Sequence, residues 1–501
     1  MLKGGKIVSR KSIIIIGAGI AGLSAGCYAV MNGYDTVIFE AHDKPGGLCT
    51  SWNRRGYTID GCIHHLAGSG PSSELYRVWQ ELGALEGRGM VFHDEFVRVE
   101  DPEGRAFTVY TDIDRLEQHM KQLSIADAEV IEEYTRAARR FLNIDLLAFG
   151  LLKPWQIGMK SLPRIGDFIK WGKITLEDFA QKFKDPFLRK AFPVIQYGFS
   201  GIPMLIHLNF LAGCHNRTLG WPSGGSLQFA RSIERRYTAL GGRIHYRSRV
   251  EKILTEDNKA VGVRLSDGTE HRADTIVSAA DGHTTIFGML EGKYIDDGIS
   301  KYYQAAPDYL DMSLQVSLGA ARDMSREPHA LALFLEDPLE VSGKKYERLD
   351  IEIFNFDKNL APPGKTVIKA MFGASYGYWK DLRADRERYE YQKQEIARAV
   401  IDRMDKRFPG LKGQVEMVDV ATPVTFENYT GNWKGLQAWM PPDRGFGTMM
   451  NGFTRSLPGL DNFYMAGQWA EAMIGISTAA LSGRNLVRHL CKKYKRLFVT
   501  K

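Results

Sequence analysis

Cysteine is scarce in this sequence, and its few cysteines are not spaced for a structural role. The 501 residues include five cysteines, an odd number, with no C-x-x-C pair and no metal-ligand spacing. The set argues against a disulfide scaffold, predicts no metal site and fits a reducing compartment. The cysteines are Cys27, Cys49, Cys62, Cys214 and Cys491.

Long apolar runs are also missing, as are internal repeats and low-complexity linkers. No uninterrupted apolar stretch reaches the roughly 20 residues that a transmembrane helix needs. Hydrophobic residues make up 44% of the chain and charged residues 25%, which is typical of a folded globular protein. The length predicts two domains, which can be interleaved. We therefore expect a cytoplasmic protein without a membrane span.

The net charge of +7 is unevenly distributed. Between residues 146 and 173, aromatic and aliphatic residues alternate with basic ones, a composition that suits either nucleic acid or an anionic membrane surface. No nucleic-acid-binding module accompanies it, so we expect peripheral membrane contact and no nucleic acid. The alternative is a helical pair that covers a groove of the protein itself. The basic members of this segment are Lys153, Lys160, Arg164, Lys170 and Lys173.

A dinucleotide-binding motif occupies the N-terminal region. Four isoleucines, Ile13–Ile16, predict a buried strand, Leu23–Asn32 a helix and Thr36–Phe39 a second parallel strand. Glycines at G-x-G-x-x-G spacing separate the first strand from the helix, whose N-terminus attracts phosphate. Glu40 follows the second strand, where it can accept hydrogen bonds from a ribose diol and would repel a 2′-phosphate. The alternative is a glycine-rich βαβ unit without a ligand. The motif comprises Gly17, Ala18, Gly19, Ala21 and Gly22.

A second glycine pair follows the ribose-binding acid. The run Ala41 to Leu48 contains Gly46 and Gly47, and this arrangement resembles the glutathione-reductase-like class of FAD enzymes. In that class the loop covers the pyrophosphate and the ribityl chain, so Ala41, Gly46, Gly47 and Leu48 become candidate FAD contacts. An ordinary Pro-Gly-Gly turn is the alternative.

Two further blocks complete the predicted FAD-binding unit. Residues 222–280 predict a helix over Leu227–Leu240, one strand over Arg243–Ile253, a hairpin and a buried strand over Ala273–Ala280. In two-dinucleotide-domain flavoproteins the strand at Val250 places its backbone against the adenine. Near the C-terminus, a strand ends at Gly467 and a helix over Ser477–Tyr494 begins after Gly475 and Ile476. Its free N–H groups suit the flavin end of FAD.

These blocks predict an α/β fold: a glutathione-reductase-like, Rossmann-type FAD domain with an interleaved α+β substrate domain. The FAD domain comprises residues 1–110, 215–290 and 415–501, and the substrate domain 111–214 and 291–414. The first insertion is predicted to be helical. The second contains four predicted strands and a helix that starts at the N-cap Asp385 and ends at Phe408, before a proline.

Over essentially its full length, the sequence resembles the phytoene desaturase, carotenoid isomerase and retinol saturase group of FAD-dependent oxidoreductases. The resemblance rests on the motifs above together with Gly56-Tyr-Thr-Ile-Asp-Gly61 and Trp221-Pro-Ser-Gly-Gly225. It implies a non-covalent FAD, an elongated apolar tunnel and a polyene or isoprenoid lipid substrate. Bacterial phytoene desaturases typically carry Thr-His-Pro-Gly where this chain reads Ala470-Glu-Ala-Met473. The sequence therefore supports flavin binding more strongly than phytoene desaturation. Among the possible reactions, it favours saturation or isomerisation over desaturation.

Three residues are candidates for acid–base catalysis. His64 and His65 follow the Asp60-Gly61 turn and titrate near working pH; the alternative is that they cap a loop or pack. Glu471 replaces the histidine of the family motif and is either a buried acid of raised pKa or a salt-bridged structural residue. Aromatic residues are candidates for a polyene channel or for the core: Tyr378, Trp379, Tyr429, Trp433 and Trp469.

Two other classes share the expected scaffold. A flavin amine oxidase or protoporphyrinogen-oxidase-like enzyme would use the same FAD domain, but the sequence does not mark its amine-binding aromatic pair. Rab GDP-dissociation inhibitors have the same architecture and carry prenyl lipids without FAD. The intact set of Gly17, Gly19, Gly22 and Glu40 argues against a carrier that has lost the cofactor.

Overall fold

The protein is described here by a computed structural model that covers residues 10–152, 154–196, 199, 201–435, 455–470 and 475–501. Its strands are β1 Ser12–Ile16, β2 Asp35–Phe39, β3 Ser51–Arg54, β4 Tyr57–Asp60, β5 Leu66–Ala67, β6 Met90–Val91, β7 Glu95–Glu100, β8 Ala106–Tyr110, β9 Leu219–Pro222, β10 Arg243–His245, β11 Val250–Glu256, β12 Lys259–Leu265, β13 Glu270–Arg272, β14 Thr275–Ser278, β15 Tyr309–Ala320, β16 Ala330–Val341, β17 Lys344–Ile353, β18 Thr366–Ser375, β19 Val415–Ala421 and β20 Phe463–Met465.

The α-helices connect and cover these strands. They are α1 Ile20–Met31, α2 Tyr76–Glu81, α3 Ile113–Leu123, α4 Ala128–Phe141, α5 Pro154–Ser161, α6 Ile165–Lys173, α7 Leu176–Ala180, α8 Pro186–Ala191, α9 Met204–His215, α10 Gly225–Ala239, α11 Asp297–Gln304, α12 Tyr376–Leu382, α13 Arg386–Arg407, α14 Pro423–Thr430 and α15 Ile476–Lys493. A single π-helical turn covers Thr284–Met289. Within the described ranges, no helix is both long and apolar enough to cross a membrane.

A five-stranded parallel sheet with the order β10-β2-β1-β14-β20 holds the dinucleotide motif. Its central strand β1 is buried by the four isoleucines, as predicted. Helices α10 and α15 pack against α1. The approach of α15 is close, because a Cβ on Gly483 would lie 2.5 Å from the carbonyl oxygen of Ala21. The predicted β1-α1-β2 unit is confirmed.

The single strand predicted over Arg243–Ile253 is wrong, because the chain forms two strands there. β10 pairs with β2 in the parallel sheet, whereas β11 pairs with β12 in a separate antiparallel sheet, β11-β12-β13. The backbone turns at Arg247, which has a φ of 53°. Its N–H donates to the carbonyl of His42, and that of Ser248 to the carbonyl of Glu40. The turn thus fastens the start of β11 to the end of β2.

The second insertion builds most of a seven-stranded sheet with the order β19-β15-β18-β17-β16-β7-β8. The four strands predicted there are present as β15 to β18. The predicted helix is α13, with the Asp385 side chain accepting from the N–H of Arg388 and Phe408 at the C-cap. β7 and β8 join one edge and β19 the other. β7, β8 and β19, which the sequence assigned to the FAD domain, thus belong to the same sheet as the strands of the second insertion.

The first insertion is helical, as predicted, and supplies α3 to α9. Its core is rich in aromatic contacts, among them Tyr134 with Phe192 and Phe179 with Phe183. This helical layer and the parallel sheet share one hydrophobic core. The parallel sheet and the seven-stranded sheet, with their connecting segments, border a cavity at the edge where β1 and β2 end.

Candidate functional site

A cavity of about 1110 Å³ lies where the parallel sheet meets the seven-stranded sheet. Segments that are remote in sequence form its wall, including the β1–α1 turn, the end of β2, the start of β11 and the turn that precedes α15. Most of the predicted cofactor-binding residues line it: Gly17, Gly19, Ala21, Glu40, Ala41, Gly46, Gly47, Leu48, Val250, Gly467, Gly475 and Ile476. The residues predicted from separate motifs therefore form one connected surface.

The glycines of the β1–α1 turn have different local roles. Gly17 adopts a φ of 95°, and its N–H donates to the carbonyl of Phe39 at 2.8 Å. A Cβ on Gly22 would lie 2.0 Å from the carbonyl oxygen of Gly17, so only glycine lets the helix approach the turn. A Cβ on Gly19 would meet only the carbonyl oxygen of Gly46, at 3.9 Å. Gly19 thus leaves open space on the cavity side, where a phosphate approaches the helix N-terminus.

Glu40 connects the end of β2 to this turn. Its Oε2 accepts a hydrogen bond from the N–H of Ala18 at 2.6 Å, and its Oε1 accepts one from the N–H of His42 at 2.8 Å. Each carboxylate oxygen can accept a further bond. Ala18 does not line the cavity itself but orients the acid that does. The geometry allows Glu40 to receive the ribose hydroxyls that the sequence predicted.

The second glycine pair lies across the turn. Gly46 donates its N–H to the carbonyl of Ala18 at 2.9 Å. It has a φ of 113°, and a Cβ there would lie 2.2 Å from the carbonyl oxygen of Cys49. A Cβ on Gly47 would lie 3.4 Å from the Cα of Gly19. The pair therefore brings two backbone segments close together over the phosphate-binding turn.

Two C-terminal glycines form another part of the wall. Gly467 has a φ of 107°, and its N–H donates to Ser482 Oγ at 2.9 Å. Gly475 has a φ of 117° and is the N-cap of α15, with Ile476 as the first helical residue. The N-terminal N–H groups of α15 therefore lie beside the cavity. Glu471, predicted as an acid, lies outside the described residues.

Asp281 lines the cavity and was not predicted. It follows β14 directly and is only 4% exposed. Its Oδ1 accepts from the N–H of Thr284 at 2.7 Å, whereas its Oδ2 has no hydrogen-bond partner within the described ranges. Burial raises the pKa of Asp281 to about 6. A signal was available, since Asp281 comes just after the strand Ala273–Ala280 that the sequence placed in the FAD domain.

The cavity wall fits a flavin dinucleotide. Gly19 leaves its cavity side open, two helix N-termini supply N–H donors, Glu40 supplies a diol acceptor, and Asp281 presents an unpaired buried oxygen. An extended ligand with phosphates in its middle and hydroxyl groups on either side matches this donor and acceptor set.

His64 does not line the cavity, and its half-buried side chain joins a network with two buried charged residues. Its Nδ1 is 2.5 Å from Oε1 of Glu352, whose Oε2 is 2.6 Å from Nζ of Lys369. Lys369 Nζ also approaches the carbonyl of Asp60, at 3.5 Å. Burial acts to raise the pKa of Glu352, but His64 and Lys369 outweigh it and hold that pKa well below its usual range. Cys62, two residues before His64, lines the cavity, so the network is adjacent to the site.

His65 does not line the cavity. Its ring stacks on Phe96 with centroids 5.1 Å apart, and its Nε2 has no hydrogen-bond partner in the described structure. Burial lowers the pKa of His65 to about 3, which keeps the ring neutral at working pH. The structure thus favours the packing alternative for His65 over the catalytic one.

The aromatic candidates are divided between the cavity and the core. Trp469 and Tyr429 line the cavity. Trp433 stacks on His283 with centroids 4.0 Å apart. Trp379 is fully buried in α12, and its neighbour Tyr378 is exposed. Neither α12 residue lines the cavity, so only two of the five candidates border it.

Comparisons with known proteins agree with this geometry. The family model for flavin containing amine oxidoreductases matches residues 20–491. The chain is 25% identical to chloroplastic prolycopene isomerase of Arabidopsis thaliana, covering 94% of this chain and 81% of that protein. It is 22% identical to all-trans-retinol 13,14-reductase of Danio rerio, covering 97% and 89%. Putrescine oxidase bound to putrescine superposes with a TM-score of 0.61 at 11% identity, covering 96% and 99%.

The chain belongs to the flavin containing amine oxidoreductase family. Its predicted similarity to the phytoene desaturase, carotenoid isomerase and retinol saturase group is confirmed. So is the predicted fold, whose structural neighbours include putrescine oxidase and cyclohexylamine oxidase. The protein is an FAD-dependent oxidoreductase.

Proposed function

We propose that this enzyme acts on carbon–carbon bonds of a long apolar polyene or isoprenoid lipid, by desaturation, saturation or isomerisation. The observation that carries the proposal is the chain-length similarity to prolycopene isomerase and retinol reductase, whose names specify polyene substrates. The similarity to putrescine oxidase, at 11% identity, supports the scaffold only.

FAD, when bound, supplies the ability to accept or donate a hydride at a carbon–carbon bond. We assign the phosphates to the Gly17–Gly22 turn and the N-terminus of α1, and the ribose to Glu40. The Gly46–Gly47 loop would cover the middle of the cofactor. Gly467, Gly475 and Ile476 would hold the flavin end, where the N-terminus of α15 would stabilise negative charge.

His64 is our candidate for proton transfer beside the cavity. Its Nδ1 lies 2.5 Å from Oε1 of Glu352, which fixes the orientation of the imidazole. Lys369 neutralises the remaining charge on Glu352. Glu352 and Lys369 are therefore positioning residues, while His64 handles the proton. Glu471 remains a second candidate from the sequence.

We also propose that residues 146–173 contact a membrane surface, from which an apolar lipid can enter. Large apolar side chains are exposed on α5, α6 and the turn between them, at 53–71% for Trp155, Met159, Leu162, Ile165 and Ile169. On α6 the opposite side is anchored, since Trp171 is buried and Phe168 packs against the core. Exposed apolar residues beside Lys170 and Lys173 suit the headgroup region of an anionic bilayer.

Product analysis tests the proposed reaction. The FAD-loaded protein is incubated anaerobically with a panel of polyenes, with the flavin either oxidised or chemically reduced, and the lipids are separated by chromatography. Desaturation products require oxidised flavin, and saturation products require reduced flavin. Isomers without net redox change identify an isomerase. Rapid flavin reduction by an amine, with all polyenes unchanged, would overturn the proposal in favour of amine oxidation.

A further inference from the structure

Two of the five cysteines lie near each other in the cavity wall. β3 and β4 pair with Ser51 opposite Asp60, and the N–H of Gly61 donates to the carbonyl of Thr50 at 3.1 Å. Cys49 and Cys62 are the next residues after this hydrogen bond, one on each segment. Hydrogen-bonded backbone segments lie about 5 Å apart, and a disulfide spans Cα atoms about 4.4–6.8 Å apart.

Both cysteines border the cofactor cavity. Cys49 and Cys62 line it, whereas the other three cysteines, all in the described part of the chain, do not. Burial and then the neighbouring Cys62 thiol raise the pKa of Cys49 well above its usual range. The pair therefore combines two neighbouring thiols with access to the cofactor cavity.

The two sulfurs differ in accessibility. Cys49 is buried, and its thiol donates to the carbonyl of Ser226 at 3.5 Å. Cys62 is partly exposed. In thiol–disulfide exchange the accessible sulfur is attacked and the other leaves. Cys62 is consequently the entry point for an external thiol, and Cys49 is the leaving sulfur.

We propose that Cys49 and Cys62 form a redox-active dithiol–disulfide pair through which an external dithiol exchanges two electrons with the flavin. The external dithiol attacks Cys62 Sγ, the Cys49–Cys62 bond breaks and Cys49 takes up a proton. The second external thiol then releases Cys62, so that the external dithiol becomes a disulfide and the pair becomes two thiols. When the pair reforms its S–S bond, two electrons and two protons pass to oxidised FAD. This inference depends on the FAD assignment and not on the identity of the lipid substrate.

The first test does not require activity. The FAD-loaded protein is equilibrated with dithiothreitol buffers of stepped potential, free thiols are trapped with N-ethylmaleimide, and the peptides containing positions 49 and 62 are analysed by mass spectrometry. We expect both cysteines to lose reactivity together, as one two-electron couple, with a Cys49–Cys62 crosslink in the oxidised sample. Cys49→Ser and Cys62→Ser should abolish the crosslink, while the matched control Cys214→Ser should retain it.

The second test measures electron exchange with the flavin. In an anaerobic dithionite titration, the wild-type protein should accept about four electrons per chain and each single variant about two, because the disulfide adds one two-electron couple. Flavin reduction by dithiothreitol should be lost in Cys62→Ser and retained in Cys214→Ser. Retained flavin absorbance shows that a variant is folded, and Cys62→Ala provides a second substitution. Independent alkylation of both cysteines at every potential, or equal electron uptake in all proteins, would overturn the proposal.

Discussion

Glu352 is a carboxylate held out of water between His64 and Lys369. Removing one member of such a buried network leaves an uncompensated charge, which costs far more than breaking an ion pair on the surface. These residues come from the β5 loop and from β17 and β18, so the network joins the FAD-binding unit to the substrate-domain sheet. Its loss should affect both stability and the proton-transfer candidate.

Glu352→Gln should destabilise the protein by about 3–5 kcal/mol at pH 7, because Lys369 keeps a buried charge without its counterion. The pKa of Glu352 is depressed in the folded state, so its stabilisation is complete above the ordinary carboxyl pKa of about 4.3 and is lost as the pH falls. The difference in the free energy of unfolding between wild type and variant should therefore become smaller in acid. Urea unfolding at several pH values measures this difference. The control Glu256→Gln, which removes an exposed partner of Arg272, should have much less effect, and an equal effect would contradict the network.

His65 should make the protein acid-sensitive. Burial lowers its pKa to about 3 in the folded state, whereas the unfolded chain takes up a proton near pH 6.5. Stability therefore falls as the pH decreases from about 6.5 towards 3. His65→Phe should weaken that slope by up to about 1.4 kcal/mol per pH unit. Phe96→Leu changes the stacking partner but keeps the titrating ring, so its slope should equal that of the wild type. An unchanged slope in His65→Phe would show that His65 does not contribute.

Substitutions at Gly19 and Gly22 should distinguish a loss of cofactor binding from a loss of folding stability. A Cβ at Gly19 meets only Gly46, whereas one at Gly22 clashes with the Gly17 carbonyl at 2.0 Å. Gly19→Val should thus give a folded protein that lacks flavin colour, because its side chain occupies the approach of the pyrophosphate. Gly22→Ala should lower the free energy of unfolding by about 1–3 kcal/mol, because the added methyl group overpacks the turn. Circular dichroism and flavin absorbance distinguish the two, and full flavin retention in Gly19→Val would contradict the assignment.

Whole elements were predictable where the signal is local. The isoleucine strand, the glycine turn and the α13 helix between Asp385 and Phe408 follow from burial pattern and capping. The break between β10 and β11 was missed because it depends on hydrogen bonds from Arg247 and Ser248 to residues more than 200 positions away. The pairing of β7 with β16 and the contact of His64 with Glu352 were hidden for the same reason. The sequence therefore predicted residues near glycine motifs that line the cavity, but it did not predict the polar network.

The exposed apolar side of α6 should govern membrane contact. Ile165→Ser combined with Ile169→Ser removes apolar side chains that are 55% and 53% exposed without altering the buried Trp171. In flotation with anionic liposomes, wild-type binding should rise with anionic lipid and fall with salt, and the double variant should bind much less. Ile125→Ser changes an exposed isoleucine outside residues 146–173 and should bind normally. No flotation of the wild type at low salt would contradict the membrane proposal.

At the scale of the whole molecule, the cavity is where distant parts of the chain meet. Residues near positions 20, 250, 420 and 475 border the same space, so a ligand there contacts both the parallel sheet and β19 of the seven-stranded sheet. Without a ligand, these regions are joined by contacts within the protein, including the ion pairs of Glu352 with His64 and Lys369. FAD should consequently stabilise the molecule as a unit and not one segment of it.

Thermal unfolding of the apoprotein with and without FAD tests this coupling. A ligand that binds only the folded state at 100 times its Kd adds about 2.7 kcal/mol to the free energy of unfolding. Unfolding followed by circular dichroism should shift to higher temperature with FAD, and tryptophan fluorescence should shift equally, because Trp469 lies on the cavity wall and Trp379 in the core of the seven-stranded sheet. Gly19→Val provides the control, since its unfolding should not respond to FAD. A shift confined to one of the two signals would show that the two sheets unfold separately.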